Sequence, residues 1–162
     1  MVGTGDTAPG FTLEGTRGEE IREFTLSEFA NGRPTVLVFY IHDYSPVCTD
    51  QMCEINDMEF LTFNDDAGVL GISTDGPYSH RKFIHDNHIS YPLLTDVDKN
   101  VYEAYGMIEQ QEDGRRHPKR GAVLIDGDRT VRYRWEAADN WDKWEMKPLN
   151  DIDRIVRELT ET

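Results

Sequence analysis

The chain has 162 residues, with 31 Asp and Glu against 17 Lys and Arg, a formal net charge of −14. Without a basic patch to release counterions, nucleic acid is excluded as a partner, and no run nears the roughly 20 apolar residues of a membrane span. The length fits a single domain over residues 1–162 with one core, and with no apolar leader at Met1–Asp6 the expected location is cytoplasmic.

The acids are spread between apolar runs, as on a strongly solvated folded surface, and a halophilic source, whose salt screens the repulsion, would account for them. Residues Gly5 to Phe29 read as an irregular lead-in with short strands, punctuated by Gly10, Gly15 and Gly18. Gly32 and Pro34 mark a turn before the apolar, β-branched run Thr35–Tyr40, the strongest strand signal. A helix is expected from about Pro46 to Phe63, stopped by Asn64-Asp65-Asp66-Ala67-Gly68. Val69–Ser73 reads as a strand, Tyr78–His88 as a helix, Tyr91–Leu94 as extended and Lys99–Tyr105 as a short helix. Gln110–His117 reads as a polar loop. Gly121–Ile125 and Val131–Trp135 read as strands joined by a Gly-containing turn, and Pro148–Leu159 as a closing helix with Leu149, Ile152, Ile155, Val156 and Leu159 on one face. The order β, α, β, α, β-hairpin, α points to an α/β layer fold of thioredoxin-like order, a mixed central sheet flanked by helices with an N-terminal extension.

The only cysteines, Cys48 and Cys53, follow the first strong strand. Ser45 followed by Pro46 reads as a helix N-cap with proline at the first helical position. Cys48 then falls in the first turn, where free N–H groups and the positive end of the helix dipole favour the nucleophilic thiolate. Two cysteines in a reducing compartment are seldom a structural staple. They could be small buried hydrophobes, but the Ser-Pro start ahead of Cys48 favours redox chemistry. Five residues of helix rise about 7.5 Å, beyond the roughly 7 Å reach of a disulfide. An intact helix therefore cannot hold a Cys48–Cys53 bond.

Weaker signals lead nowhere specific. Gly3-Thr4-Gly5-Asp6-Thr7-Ala8 mimics a dinucleotide fingerprint with no strand before it. Asp96, Asp98 and Asn100 mimic a calcium loop, but Val101 stands at its glycine and Met107 at its glutamate. His80, His85 and His88 lie around one helix and read as solvated, with a metal site there the minority reading. Trp135 reads as core, whereas Trp141 and Trp144 could be core or interaction surface. No cofactor and no metal are expected.

The stretch from Ser45 to Cys48 resembles the motif P-x-x-x-[TS]-x-x-C of the peroxiredoxins of the alkyl-hydroperoxide-reductase and thiol-specific-antioxidant superfamily. Gly5–Leu13, Val69–Asp75, Tyr91–Asp96 and Lys119–Asp126 are similar to other family segments in the same order. The spacing of Cys48 and Cys53 resembles the bacterioferritin-comigratory-protein (PrxQ) subgroup. The resemblance implies a thiol peroxidase acting on hydrogen peroxide or organic hydroperoxides. Cys48 would be the peroxidatic and Cys53 the resolving cysteine, Arg120 the active-site arginine, and Ser45 a cap and hydroxyl partner. It implies an intramolecular disulfide, recycling by a thioredoxin-like reductant, and a monomer or homodimer. One departure stands out: Ile41 occupies the motif proline's position, where the family's proline helps shield the cysteine. Competing readings are a thiol–disulfide oxidoreductase, which would normally carry C-x-x-C, a copper chaperone of the Sco type, whose spacing is C-x-x-x-C, and a peroxide-sensing partner protein.

Overall fold

Strict alternation along one strand sets the two-sided core. In β3 (Thr35–Phe39) every residue is buried. Val36 and Val38, with Tyr40 just beyond, join one apolar cluster, and Leu37 and Phe39 join the other. Successive side chains of a strand point to opposite faces, so a run apolar at every position must be covered on both. Each such side chain contributes about 1.5–3 kcal/mol on burial, which keeps β3 in the interior of the sheet. The structure, a computed structural model, describes residues 2–58, 66–137 and 146–160.

The remaining elements are β1 (Thr12–Thr16), β2 (Ile21–Thr25), α1 (Leu26–Ala30), α2 (Pro46–Asn56), β4 (Gly68–Ser73), α3 (Pro77–Asn87), β5 (Leu93–Thr95), α4 (Asn100–Ala104), β6 (Ile108–Gln110), β7 (Arg116–Pro118), β8 (Gly121–Ile125), β9 (Val131–Glu136) and α5 (Met146–Thr160). Seven strands form one mixed sheet in the order β2-β1-β5-β4-β3-β8-β9. β3 pairs in parallel with β4 and β4 with β5, while β8 lies antiparallel to β3. Helices α2, α3 and α5 send Met52, Ile55, Phe83, Ile152 and Val156 into the cluster on one face, and Leu26, Val101 and Tyr102 of α1 and α4 pack on the other. This is the α/β, thioredoxin-like mixed sheet flanked by helices that the element order implies.

Four expectations need correcting. The lead-in is a regular antiparallel pair, β1 and β2, with Thr12 opposite Thr25 and Thr16 opposite Ile21, joined to the main sheet through β5. The polar loop after Ile108 carries a hairpin, with Ile108 opposite Pro118 and Gln110 opposite Arg116. Three-residue strands with charged side chains leave no apolar alternation to read. The helix expected from Pro46 ends at Asn56, and the expected part at 59–63 lies outside the described residues. The closing helix starts two residues earlier, at Met146. Trp135 is half-buried and packs against the core, whereas Trp141 and Trp144 lie outside the described residues.

One glycine lets α2 lie close to the sheet. A Cβ at Gly71 of β4 would stand 2.6 Å from the Leu93 side chain and 2.7 Å from the Met52 side chain. Met52 lies between the two cysteines, so this close approach sets the depth at which α2 holds them.

Candidate active site

β3 delivers the chain to the site and then stops. Tyr40 makes the last ladder bond, its N–H to Ile72 C=O at 3.1 Å. Tyr102 on α4 donates its hydroxyl to the carbonyls of both Tyr40 (2.5 Å) and Ile72 (2.9 Å), which ties off the ends of two adjacent strands. Burial pushes the Tyr102 hydroxyl well above the usual tyrosine range, with Asp96 adding to the effect, so it stays a donor.

Residues 41–45 turn the chain into α2. Ser45 stands at the N-cap with extended backbone (φ −63°, ψ 137°), and Pro46 opens the helix. The Ser45 carbonyl accepts the Thr49 N–H at 2.7 Å. The expected side-chain cap is not formed, so the Ser45 hydroxyl bonds none of the first-turn N–H groups. Proline lacks one of those groups already, and those of Val47 and Cys48 keep their direction toward the helix N-terminus.

Cys48 is fully buried. Two donors face its sulfur: Arg120 Nη2 at 3.2 Å and the Ile41 backbone N–H at 3.4 Å. Arg120 is itself fully buried and is aimed by Gln51, whose Oε1 accepts from Arg120 Nη1. Gln51 Nε2 in turn reaches Phe39 C=O at 3.5 Å. A guanidinium offers its donors in a fixed fork, so a bond to Gln51 on one nitrogen orients the other toward sulfur. Gln51 lies one turn after Cys48 on α2. The spacing could have suggested a shared face for Gln51, whereas Arg120 was expected beside Cys48 only through the family resemblance.

The loop is pinned from behind. Asp43 is buried, and its carboxylate accepts from Tyr40 Oη (2.7 Å) and Ser79 Oγ (2.8 Å) and lies 2.9 Å from His80 Nδ1. His80 Nε2 lies 3.1 Å from Leu94 C=O. The Asp43 N–H donates to Asp75 at 2.7 Å. His80 therefore corrects the solvated reading. Helical position alone cannot show that one histidine of three faces a buried carboxylate, while His88 ends α3 in the left-handed region. Burial, with Asp43 next, raises Tyr40 well above the ordinary tyrosine range, so its hydroxyl donates to Asp43.

Cys53 has different surroundings on the same helix. It is half-buried against the core, with its thiol 3.8 Å from Asn87 Oδ1. Burial, followed by Asp57 and Asp50, raises its pKa above that of an ordinary thiol. Both cysteines are free, and the described helix spans them unbroken.

A cavity of about 390 Å³ lined by Arg17, Arg22, Phe24, Phe29 and Arg33 lies before β3 and shares no residue with the cysteine site. Neither cysteine lines it.

Residues 4–134 match the family model described as AhpC/TSA family. The chain belongs to the AhpC/TSA family. It is a peroxiredoxin with Bcp and peroxiredoxin Q proteins among its relatives. It is 29% identical over 134 residues to Peroxiredoxin Bcp of Bacillus subtilis, covering 81% of this chain and 83% of that one. It is 37% identical over 106 residues to the chloroplastic Peroxiredoxin Q of Oryza sativa subsp. japonica, covering 65% of this chain and only 47% of the rice protein. Peroxidoxin BcpB from Mycobacterium tuberculosis superposes with a TM-score of 0.81 at 28% identity, covering 98% of this chain and 99% of that one. The peroxiredoxin is thus a thiol-dependent peroxidase, an oxidoreductase. Among its described residues, no helix is long and apolar enough to cross a membrane.

Proposed function

We propose that this peroxiredoxin reduces hydrogen peroxide or organic hydroperoxides at Cys48, resolves the product with Cys53, and is recharged by a thioredoxin-like dithiol donor. The observation that carries the reading is the buried Cys48 sulfur, 3.2 Å from a buried guanidinium at the start of a helix. In the first step the Cys48 thiolate attacks the hydroxyl oxygen of the hydroperoxide. An S–O bond forms, the O–O bond breaks, and the departing alkoxide or hydroxide takes a proton from solvent, leaving Cys48 as sulfenic acid. Arg120 offsets charge on the sulfur before attack and on the leaving oxygen afterwards. The Val47 and Cys48 N–H groups and the Ser45 hydroxyl, which caps none of the first turn, lie at the same helix end to receive the peroxide oxygens.

In the second step the Cys53 sulfur attacks the Cys48 sulfur, forming the disulfide and releasing water. α2 holds the two about 7.5 Å apart along its axis, so its first turns must unwind before they meet. The raised Cys53 pKa supports the division of labour, because a thiol held protonated is a poor first nucleophile. A thiol–disulfide oxidoreductase would need both sulfurs presented together, and the helix separates them.

Two variants test the assignment. Cys48→Ser is expected to abolish peroxide consumption while circular dichroism stays native, and turnover near that of the unmodified protein would overturn the reading. Arg120→Met is expected to slow sulfenic acid formation by about 10²–10³, as loss of one donor does in comparable oxyanion sites. A change below about threefold in single-turnover rate would reduce Arg120 to a packing role, since a catalytic donor is worth far more.

A further inference from the structure

We propose that the Ile41 backbone N–H is a catalytic donor that holds the Cys48 sulfur as thiolate beside Arg120, a role that proline at this position cannot fill. The inference rests on the reading of Cys48 as the nucleophile.

The last ladder bond of β3 is spent at Tyr40, whose N–H meets Ile72 C=O. Ile41 is the next residue and lies past the end of the sheet with only 7% of its surface exposed. A buried N–H must find an acceptor, because leaving it unpaired costs its full desolvation. Among the described residues no backbone carbonyl accepts it, and the acceptor it finds is Cys48 Sγ at 3.4 Å. The side chain packs in the same apolar cluster as Cys48, so the peptide is held in this direction by burial.

Sulfur is a weak acceptor as a thiol and a strong one as a thiolate. The Ile41 N–H therefore interacts more strongly with the ionised form, which is the condition for favouring it. Cys48 is wholly buried, and burial in apolar surroundings works against ionisation unless donors offset it. Arg120 supplies one donor and Ile41 the second. At the corresponding position the peroxiredoxin motif has proline, which carries no N–H. The substitution at residue 41 thus adds a donor as well as exchanging one shielding side chain for another.

The bond has a second consequence. When Cys48 leaves to join Cys53, the Ile41 N–H loses its partner inside the fold. The N–H thus favours the reduced, folded site over the unwound one.

The test compares Ile41→Pro with Ile41→Val in a Cys53→Ser background, leaving Cys48 as the one thiol. Valine keeps both the N–H and the β-branched shape. Thiolate absorbance against pH is expected to reach half its maximum about one pH unit higher in the proline variant, the size of effect that one charge-assisted bond carries. Below that midpoint the single-turnover rate with hydrogen peroxide is expected to fall about threefold, because the loss of thiolate outweighs the higher nucleophilicity of what remains. Well above it, the rate is expected to equal or exceed that of the valine variant, because a thiolate with fewer donors is the stronger nucleophile. A merely structural role would instead lower the rate at every pH. If Ile41→Pro does not fold, the α-hydroxy acid analogue of isoleucine at position 41 removes the N–H and keeps the side chain, with the same shift expected. Coincident midpoints, or a rate lost equally at all pH values, would overturn the proposal while leaving Cys48 as nucleophile. Peroxide consumption by Cys48→Ser would instead overturn the underlying reading.

Discussion

Cys48 and Cys53 share one helix and meet opposite chemistry. Cys48 has a guanidinium and an N–H on its sulfur, whereas Cys53 faces burial and the carboxylates of Asp57 and Asp50. A thiol whose pKa is raised carries less thiolate at any pH below it. In Cys48→Ser, alkylation of Cys53 by iodoacetamide should therefore be slower near neutral pH than that of a free cysteine, and it should still be rising with pH past about 8.5, where a free thiol is half ionised. Alkylation at the free-cysteine rate near neutral pH would mean that the surroundings of Cys53 do not hold it protonated. At this scale the sequence showed the thiols, the helix start and, through the family resemblance, Arg120, but not Gln51 behind that arginine or the Asp43–His80 pairing. Gln51 and Arg120 are 69 positions apart, and Asp43 and His80 are 37 apart. Those pairings exist only once β8 and α3 close over α2. Ser45 is the reverse case: its position at the N-cap was legible, but its side chain does not form the cap bond.

In the proposed cycle helix α2 is both a platform and a segment that gives way. Intact, it places Cys48 at its N-terminus and packs Met52 and Ile55 into the core. With the disulfide formed, its first turns cannot persist. The boundary of unwinding should lie at Asp43, which Tyr40, Ser79 and Asp75 hold by hydrogen bonds. Amide hydrogen exchange over residues 45–53 should accelerate in the oxidised protein, with residues 38–43 still protected. Equal protection of residues 45–53 in both redox states would show that the sulfurs meet without unwinding. Elements this long were readable because apolar periodicity marks them: β3, β4, α3, β8 and β9 lie within two residues of their expected bounds. The hairpin of β6 and β7 was not readable, being short and mostly polar.

Across the whole molecule the acids outnumber the bases by 31 to 17. The described surface pairs some of them, as in Lys82–Asp86, Arg116–Glu103 and Arg157–Asp153, but the excess of negative charge remains. Exposed pairs of this kind contribute about 0–1 kcal/mol each, so the net repulsion sets the response to salt. Raising KCl from low to molar concentration should raise the thermal midpoint, as screening shortens the reach of the repulsion. An unchanged or lower midpoint would mean that the charges are already balanced locally and would remove the physical basis for a halophilic source. The layer order and the strand at Thr35–Tyr40 were legible from the sequence. The sheet order, which sets β8 beside β3 and so brings the Arg120 end of that strand to Cys48, was not, because strand pairing is decided by contacts between distant segments.

The central claim is that peroxide oxidises Cys48 first and that Cys53 then captures it. It is tested most directly by mass spectrometry of peptides from the reduced protein after one equivalent of hydrogen peroxide, in parallel with Cys53→Ser. The account predicts a single disulfide-linked peptide joining Cys48 to Cys53 in the unmodified protein, and sulfenic acid on Cys48, passing to sulfinic acid with excess peroxide, in the variant. Peroxide consumed with Cys48 still a free thiol, or an oxidised protein in which Cys53 remains free, would contradict it.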